Sequence, residues 1–509
     1  MMLGRSHHEP SRLSYLLQGY ADVDQMSDCN IQALSLDSRT VKQGDLFFAC
    51  AGTQGHGLDY IDQVCNSGAA AIAWEPTEKY NVSPGINKNI PIIEIENLTD
   101  RLGYIADRFY GHPSKDLCVI GITGTDGKTS CSHFLASALD KQNIKAGVIG
   151  TIGYGVFGQL QEASHTTPDA IRVHELLHDM REQGVHYVVM EVSSHGLDQG
   201  RVNGVVFEVA VLTNVSRDHL DYHGDQASYA EAKEKLFRMP GLSCVVLNND
   251  DEFGVKWLDS LSDSQSVITY GLNGDTSKAL QQSVVISNVK LMQGGLEWHV
   301  DSAWGDADFA NQLYGRFNVY NLAAVLSVLG YLGLPWDKIC DYMQQMQTVP
   351  GRMEICHVQA GHDVPQVIVD FAHTPDALEQ VLSSLGEHGF GRIWCVFGCG
   401  GDRDKGKRPL MGRVAEKLSD QVILTDDNPR TESGEQIINE ILFGMQNPDV
   451  VHIESDRKKA IHFALTSANQ NDVVLIAGKG HESYQLIQDK KIPFNDREVV
   501  MTWLRKEVH

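Results

Sequence analysis

The chain contains no apolar run approaching the roughly 20 residues that a membrane-spanning helix needs. Residues 1–10 are polar and carry two histidines, without the apolar core of a secretory signal. Basic residues are in deficit: 42 Lys and Arg stand against 66 Asp and Glu, a formal net charge of -24. That balance works against non-specific nucleic-acid binding, so an anionic substrate would have to be met by a few locally placed cations. The ten cysteines lack zinc-site spacing; the nearest two, Cys395 and Cys399, are followed by no Cys or His pair. Free thiols in a reducing compartment are expected. Internal repeats and low-complexity segments are absent. These absences lead to the expectation of a cytoplasmic protein, not inserted in a membrane and without a nucleic-acid partner.

What is present is a globular composition, 42% hydrophobic and 8% aromatic. A single core stops growing at roughly 250–300 residues, so this chain should form two or three domains. Three blocks can be drawn, 1–111, 112–348 and 349–509. The first holds short strand-like segments such as Asp45–Ala49 and Ala69–Trp74 between Gly-rich turns, and Gly111–Lys115 reads as a linker. The second opens with the apolar run Leu117–Ile122, a Gly-rich loop and a helical pattern through Phe134, Leu135 and Leu139. Further runs at Tyr187–Met190, Val209–Thr213 and Cys244–Leu247 imply a mostly parallel sheet. The third alternates the strands Val367–Asp370, Ile393–Phe397, Val422–Thr425 and Val473–Ile476 with helices such as Pro375–Leu385 and Ile437–Met445. That is the pattern of a doubly wound, Rossmann-like α/β domain.

The Gly-rich loop reads Gly124-Thr125-Asp126-Gly127-Lys128-Thr129-Ser130. Backbone N–H groups and the following helix N-terminus can cradle phosphate oxygens. Lys128 can reach the β- and γ-phosphates, and the Thr129 hydroxyl can ligate Mg²⁺. The spacing departs from a standard P-loop, which would place glycine where Ile122 stands. The alternative, an ordinary turn before Lys-Thr, fits the strand–loop–helix context less well, so ATP or GTP binding is expected.

Glu191 ends the strand Tyr187–Met190, where α/β sheets place ligand sites. It reads equally as a Mg²⁺ ligand or as a surface glutamate. Beyond the next strand, Asp218, His219, Asp221 and His223 cluster within a few residues, as a site would. Lys233 falls on an amphipathic helix, and its spacing alone describes an ordinary solvated lysine.

Taken in order, the Gly124–Thr129 loop, Glu191–His195, Ser216–Gly224, Val349–Glu354 (Val-Pro-Gly-Arg-Met-Glu) and Asp370–Asp376 (Asp-Phe-Ala-His-Thr-Pro-Asp) resemble the Mur ligases, from about Leu34 to Val499. The resemblance implies three domains, central P-loop-type, C-terminal Rossmann-like and small N-terminal α/β. These would bind ATP, an incoming amino acid and UDP respectively. It implies a ligase in which ATP phosphorylates the γ-carboxylate of a D-glutamate and an amine attacks the acyl phosphate. By the same resemblance Glu191 and His219 would hold Mg²⁺, and Lys233 would be carbamylated into a ligand for a second Mg²⁺. Thr166, Thr167, Ser193, Gln199 and Arg201 would grip a UDP-muramoyl dipeptide. Ser38 and the turn Gly55-His56-Gly57 would lie near UDP. Asn318, Asn321, Arg352, Asp370 and His373 would surround the nucleotide. Asp126 departs from the asparagine usual in the family, placing an extra carboxylate beside the triphosphate.

Asp427-Asn428-Pro429-Arg430-Thr431-Glu432 looks like the signature of the subgroup that adds meso-diaminopimelate. That amino acid carries a distal carboxylate that lysine lacks, and Arg430 can grip it with two hydrogen bonds. Arg403 is a second candidate, and by resemblance Gly478 and Glu482 would receive the distal carboxylate and ammonium. A solvated turn arginine is the alternative for Arg430. The expected activity is therefore peptidoglycan-precursor synthesis by a monomer. An L-lysine-adding counterpart, a folylpolyglutamate synthase-like ligase and a non-catalytic ATP-binding regulator are the alternatives.

Overall fold

The computed structural model describes residues 10–52, 55–81, 90–258, 261, 265–272, 282–356, 364–488 and 490–507. The N-terminal stretch read above as lacking a signal lies, apart from Pro10, outside the described residues. The chain divides into two compact units, Met1–Thr269 and Tyr270–His509.

The first unit begins with a small sheet of four parallel strands, Ala33–Ser35, Asp45–Ala49, Ala71–Trp74 and Ile92–Glu94. Successive side chains of a strand point to opposite faces. Leu46, Phe48, Ala71 and Ala73 accordingly face a core shared with the helices Leu13–Leu17 and Leu98–Phe109. Phe47, Ala49, Ile72 and Trp74 face a second cluster with Leu58 and Val64. Burial on both faces explains why these strands read as unbroken apolar runs.

The same unit holds a second sheet, whose parallel strands run in the order Cys244–Asn248, Val209–Leu212, Cys118–Thr123, Tyr187–Glu191 and Ala146–Ile149. Tyr154–Val156 closes that edge antiparallel. The phosphate-loop strand is central, with Glu191 in register with Ile122 and Leu212 with Thr123. The carboxyl ends of three strands therefore lie side by side, as ligand sites in such sheets require.

The segment expected as a linker is packed instead. Pro113 and Ser114 are buried in a 3₁₀ turn, Ser114 Oγ accepts from Val206 N at 3.1 Å, and His112 Nδ1 lies 2.6 Å from Asp107. Gly and Pro mark a turn correctly, but polar composition does not distinguish a tethered turn from a loose one.

The second unit opens with an antiparallel set that the sequence reading did not anticipate, Gln282–Met292, Gly295–Ser302 and Gly305–Asn311. The apolar helix Arg316–Tyr331 follows, buried along most of its length. A six-stranded sheet comes next: Glu354–Cys356 antiparallel at one edge, then Gln366–Asp370, Val473–Ala477, Ile393–Phe397, Gln421–Leu424 and His452–Ile453 in parallel. Helices cover both faces, giving the clusters around Leu378, Phe397 and Ile441 and around Val369, Ile461 and Leu504. This is the doubly wound arrangement expected. Among the described residues no helix is long and apolar enough to cross a membrane.

One close approach tests the packing of the first unit. A Cβ at Gly103, on the helix Leu98–Phe109, would lie 2.0 Å from the backbone oxygen of Asn203. That oxygen is itself held 2.9 Å from His174 Nε2. Gly103→Ala is expected to destabilise the protein by about 1–3 kcal/mol through overpacking, read as a lower urea midpoint at unchanged slope. An unchanged midpoint would show that helix and turn do not meet as described.

Candidate active site

The strand Cys118–Thr123 delivers its chain into the phosphate loop, and two glycines permit the path. Gly124 has φ +149, and a Cβ there would sit 1.9 Å from Thr213 Oγ1; Gly127 has φ +82 at the start of the helix Lys128–Asp140. The loop is pinned from the neighbouring strand end. Thr125 N donates to Asn214 O at 2.8 Å, Asp126 N to Asn214 Oδ1 at 3.1 Å, and Thr213 Oγ1 to Asp126 O at 2.6 Å. The Asp126 residue itself is exposed, so water screens the unexpected carboxylate.

Lys128 Nζ folds back to donate to the carbonyls of Gly124 and Thr125, each at 2.7 Å. Lys233 Nζ donates to the same Gly124 oxygen at 2.8 Å. The solvated lysine expected from spacing is wrong: Lys233 is 1% exposed. The physical reason is helical register. Lys233 lies three and four residues after Ala230 and Tyr229, and that face of the helix Gln226–Glu234 is the buried one. Its Nζ stands 4.2 Å from the centre of the Tyr229 ring. Burial first, and then the Lys128 charge, drive the Lys233 amine well below its ordinary value; Asp218 and Asp126 oppose this only in part.

Glu191 is fully buried, which removes the reading of a surface glutamate. Its Oε2 accepts from Thr129 Oγ1 at 2.9 Å and Thr151 Oγ1 at 3.0 Å, and its Oε1 from Thr151 N at 2.9 Å. Gly150 makes room, since a Cβ there would meet Glu191 Oε1 at 2.2 Å. Thr151 was missed from sequence; its signal is its place just past the end of the strand Ala146–Ile149, beside Glu191.

The candidates for substrate contact form one connected group. Thr166 Oγ1 lies 3.0 Å from Thr151 Oγ1, and Thr167 Oγ1 donates to Glu191 O at 2.8 Å and accepts from Ser193 N at 3.0 Å. Arg201 donates to Thr167 O at 2.7 Å and to Gln199 Oε1 at 2.6 and 3.0 Å.

The histidine cluster is real but does not converge its nitrogens. His195 packs against His219 and His223 with ring centres 4.8 and 5.4 Å apart. His219 adopts φ +52 and sits half exposed, its Nε2 3.4 Å from Asp218. Among the described residues no three His, Cys, Asp or Glu side chains are disposed to hold a metal ion. In the N-terminal sheet domain, His56 Nδ1 accepts from Leu58 N at 3.1 Å, which leaves Nε2–H to donate to Glu75 O at 2.8 Å. Tyr80 stacks on His56 at 4.4 Å; Ser38 is buried and Gly55 begins this turn.

In the second unit, Asn318 and Asn321 share one buried helix face, with Asn321 Nδ2 donating to Asn318 Oδ1 at 3.2 Å. Asp370, its carboxyl raised by burial, accepts from Met353 N and Ala372 N, each at 2.7 Å. Arg352 lies 5.1 Å over the Phe371 ring, with its buried Nε unpartnered among the described residues; His373 packs 4.6 Å from the same ring.

Three loops converge at the carboxyl ends of neighbouring strands of the six-stranded sheet. Arg430, in the left-handed region at φ +51, is clamped by Arg430 N to Leu486 O at 2.9 Å and Gln488 N to Arg430 O at 2.7 Å. Its Nη1 donates to Gly401 O at 2.8 Å. Thr431 hydrogen-bonds Asp402, and Glu432 pairs with the buried Arg408 at 2.9 Å, so the loop bearing the exposed Arg403 is latched to that of Arg430. Gly478 is required where a Cβ would lie 2.5 Å from Asp427 Oδ2, and Glu482 reaches Asn428 Nδ2 at 2.9 Å.

A phosphate loop with a buried strand-end carboxylate, together with a strand-end pocket of arginines and acids on a doubly wound sheet, defines a phosphate-loop α/β ligase. Comparison with known proteins narrows the class: the Mur ligase catalytic, middle and glutamate ligase domain models match residues 30–110, 122–329 and 351–480. The chain belongs to the Mur ligase family. A Coxiella burnetii relative, UDP-N-acetylmuramoyl-L-alanyl-D-glutamate--2,6-diaminopimelate ligase, is 49% identical over 472 residues, 93% of this chain and 95% of the relative. A solved structure of a ligase of that name is 33% identical with TM-score 0.70, covering 98% of this chain and 100% of the other. Mycobacterium tuberculosis folylpolyglutamate synthase, 20% identical with TM-score 0.59 over 74% of this chain and 92% of its own, shares the fold.

The Lys233 amine gives a stability test. Between its lowered folded value and its ordinary 10.5, the unfolded chain holds the extra proton. Stability contributed through this group is therefore lowest below the folded value, rises with pH through the window, and levels off near 10.5. In carbonate-free buffer, Lys233→Met should lose that rise, so wild type gains on the variant as pH increases. A wild-type-minus-variant difference that is flat with pH would mean Lys233 stays charged in the fold.

Proposed function

We propose that this chain is an ATP-dependent ligase joining the amine of meso-2,6-diaminopimelate to the γ-carboxylate of UDP-N-acetylmuramoyl-L-alanyl-D-glutamate, through an acyl phosphate, in peptidoglycan precursor synthesis. It acts as a monomer in the cytoplasm, with boundaries near 111/112 and 348/349 separating UDP-, ATP- and amino-acid-binding domains. The observation that carries the reading is the Asp427–Glu432 loop, which holds Arg430 rigidly beside the Arg403 loop at the end of a parallel sheet. A rigid guanidinium suits a carboxylate on the incoming amino acid. The near full-length identity to relatives bearing this activity in their names supports it.

The residues around Thr129 suit a hard cation. A hydroxyl and a dry carboxylate 2.9 Å apart, with backbone room kept by Gly124 and Gly150, supply the one or two protein oxygens that Mg²⁺ takes beside phosphates. Magnesium, when bound, offsets charge accumulating on the phosphoryl oxygens. In this reading Thr129, Glu191 and His219 serve the metal, and Lys128, swung from the Gly124 and Thr125 carbonyls, serves the phosphates with Gly124–Ser130. The neutral Lys233 amine is suited to add to carbon dioxide, losing a proton and becoming a carbamate ligand for a second ion. Thr166, Thr167, Ser193, Gln199 and Arg201 hold the muramoyl dipeptide, and Ser38, Gly55 and His56 the UDP end. Asn318, Asn321, Arg352, Asp370 and His373 serve the nucleotide. Asp427, Asn428, Pro429, Arg430, Arg403, Gly478 and Glu482 receive diaminopimelate.

ADP release should require the muramoyl dipeptide and diaminopimelate together; comparable turnover with L-lysine would refute the specificity. Arg430→Ala should weaken diaminopimelate binding by about 2–5 kcal/mol, the cost of stranding a desolvated charge. A KM for diaminopimelate equal to wild type would remove Arg430 from the pocket.

A further inference from the structure

Between Gly478 and Glu482 lies a side chain that neither the sequence reading nor the proposed pocket has used. Lys479 is fully buried, yet it is not paired with a single acid in the usual way. Its Nζ donates to Glu482 Oε2 at 2.7 Å and to Asn428 Oδ1 at 3.2 Å, and stands 3.9 Å from Asp427 Oδ1. Those three partners are residues proposed to meet the amino acid. Asn428 closes the triangle by donating from Nδ2 to the same Glu482 oxygen at 2.9 Å, and its Oδ1 also takes Leu486 N at 2.8 Å. Both hydrogen bonds to Glu482 fall on Oε2. Among the described residues none reaches Oε1, and the Glu482 side chain keeps 25% of its surface exposed.

The surrounding charges make Lys479 decisive. Behind it Arg457 and Asp496 form a fully buried pair at 2.7 Å, which balances itself. Counted formally, the pocket floor is then Asp427 and Glu482 against Lys479, two acids and one base, with the Asp427 carboxyl raised by its burial. Such a floor takes up one ammonium. The distal end of diaminopimelate brings an ammonium and a carboxylate, while that of lysine brings an ammonium alone. Without Lys479 the floor would carry a second uncompensated negative charge, which repels a carboxylate and rewards a bare cation.

Resting on the reading that this pocket takes diaminopimelate, we propose that Lys479 is a positioning and specificity-determining residue. It fixes Glu482 from beneath so that Oε1 alone is offered to the ammonium. It also limits the negative charge of the floor to what a zwitterionic side chain tolerates.

Burial by itself would raise the Glu482 carboxyl, but the Lys479 charge and hydrogen bond, with those of Asn428 and His481, hold it below its ordinary value. Asp427 and Arg457 face it from the other loops with opposite signs, and Arg352 faces His481. A depressed carboxyl stays anionic as pH falls, so ammonium binding should persist into acid. Loss of Lys479 should move the acid limb of diaminopimelate binding to higher pH.

The test is steady-state kinetics of the full-length enzyme with ATP, muramoyl dipeptide and either diaminopimelate or L-lysine. For Lys479→Met and Lys479→Gln the KM for diaminopimelate should rise about tenfold or more, with the KM for ATP little changed. The ratio of kcat/KM for L-lysine over diaminopimelate should rise, the acid limb should shift upward, and Lys479→Arg should restore part of the preference. Gln can still donate a hydrogen bond, so it decides the matter if Met prevents folding, as judged by thermal melting. Unchanged preference and an unchanged acid limb in the folded variants would overturn the proposal, as would parallel rises in KM for ATP and amino acid. A wild-type enzyme inactive with diaminopimelate would instead overturn the functional reading beneath it.

Discussion

The first unit is organised around one carbonyl oxygen, that of Gly124, which accepts hydrogen bonds from two lysine amines. Two ammonium groups that share a buried acceptor repel each other, which favours loss of a proton from one of them. Burial and then the charge of the half-buried Lys128 hold the Lys233 amine well below its ordinary value. This constraint sets much around it. Position 124 must be glycine, because any Cβ would collide with Thr213. The helix Gln226–Glu234 must present Lys233 inward, and Tyr229 must lie under it. An amine lowered in this way beside Lys128 follows from the packing alone.

A second consequence concerns acids. Placing Glu191 and Asp370 at the ends of buried parallel strands takes both carboxyls out of water, and each is met by neutral donors, with the Arg352 charge also acting on Asp370. Glu191 has two threonine hydroxyls and an amide; Asp370 has two amides. Neutral donors satisfy a carboxylate's lone pairs without cancelling its charge. The two threonine hydroxyls and the Thr151 amide hold the Glu191 carboxyl still.

Much of this was legible in the sequence. Asp45–Ala49 and Ile393–Phe397 were read with the bounds the fold gives them, because strands buried on both faces are short apolar runs cut off by polar residues. The strands from Gln282 to Asn311 were not read, since they hide in alternation. Leu296, Trp298 and Val300 are buried with Glu297 and His299 between them, a weaker signal than an unbroken run. The phosphate loop and the Asp427–Glu432 loop stood out because each motif is made of contiguous residues. Lys233 and Thr151 did not, because each gains its meaning from partners that only the fold brings near, Gly124 across 109 positions and Glu191 across 40.

The two sites also differ in how charge is made specific. Near Gly124 a lysine amine is lowered by burying it against another lysine. In the second unit Lys479 is buried too, but among acids, and its Nζ donates to Glu482 and Asn428. Burial alone therefore does not decide a lysine's role; the sign of its neighbours does. A pocket for a side chain bearing both an amine and a carboxylate needs this second kind of lysine. Surface arginines such as Arg403 can attract the carboxylate, but they cannot stop an acidic floor from preferring a plain cation. Only a positive charge within the floor can do that, and the hairpin Tyr484–Ile487 with Lys490–Pro493 is clamped to Asn428 and Arg430 through Leu486 and Gln488.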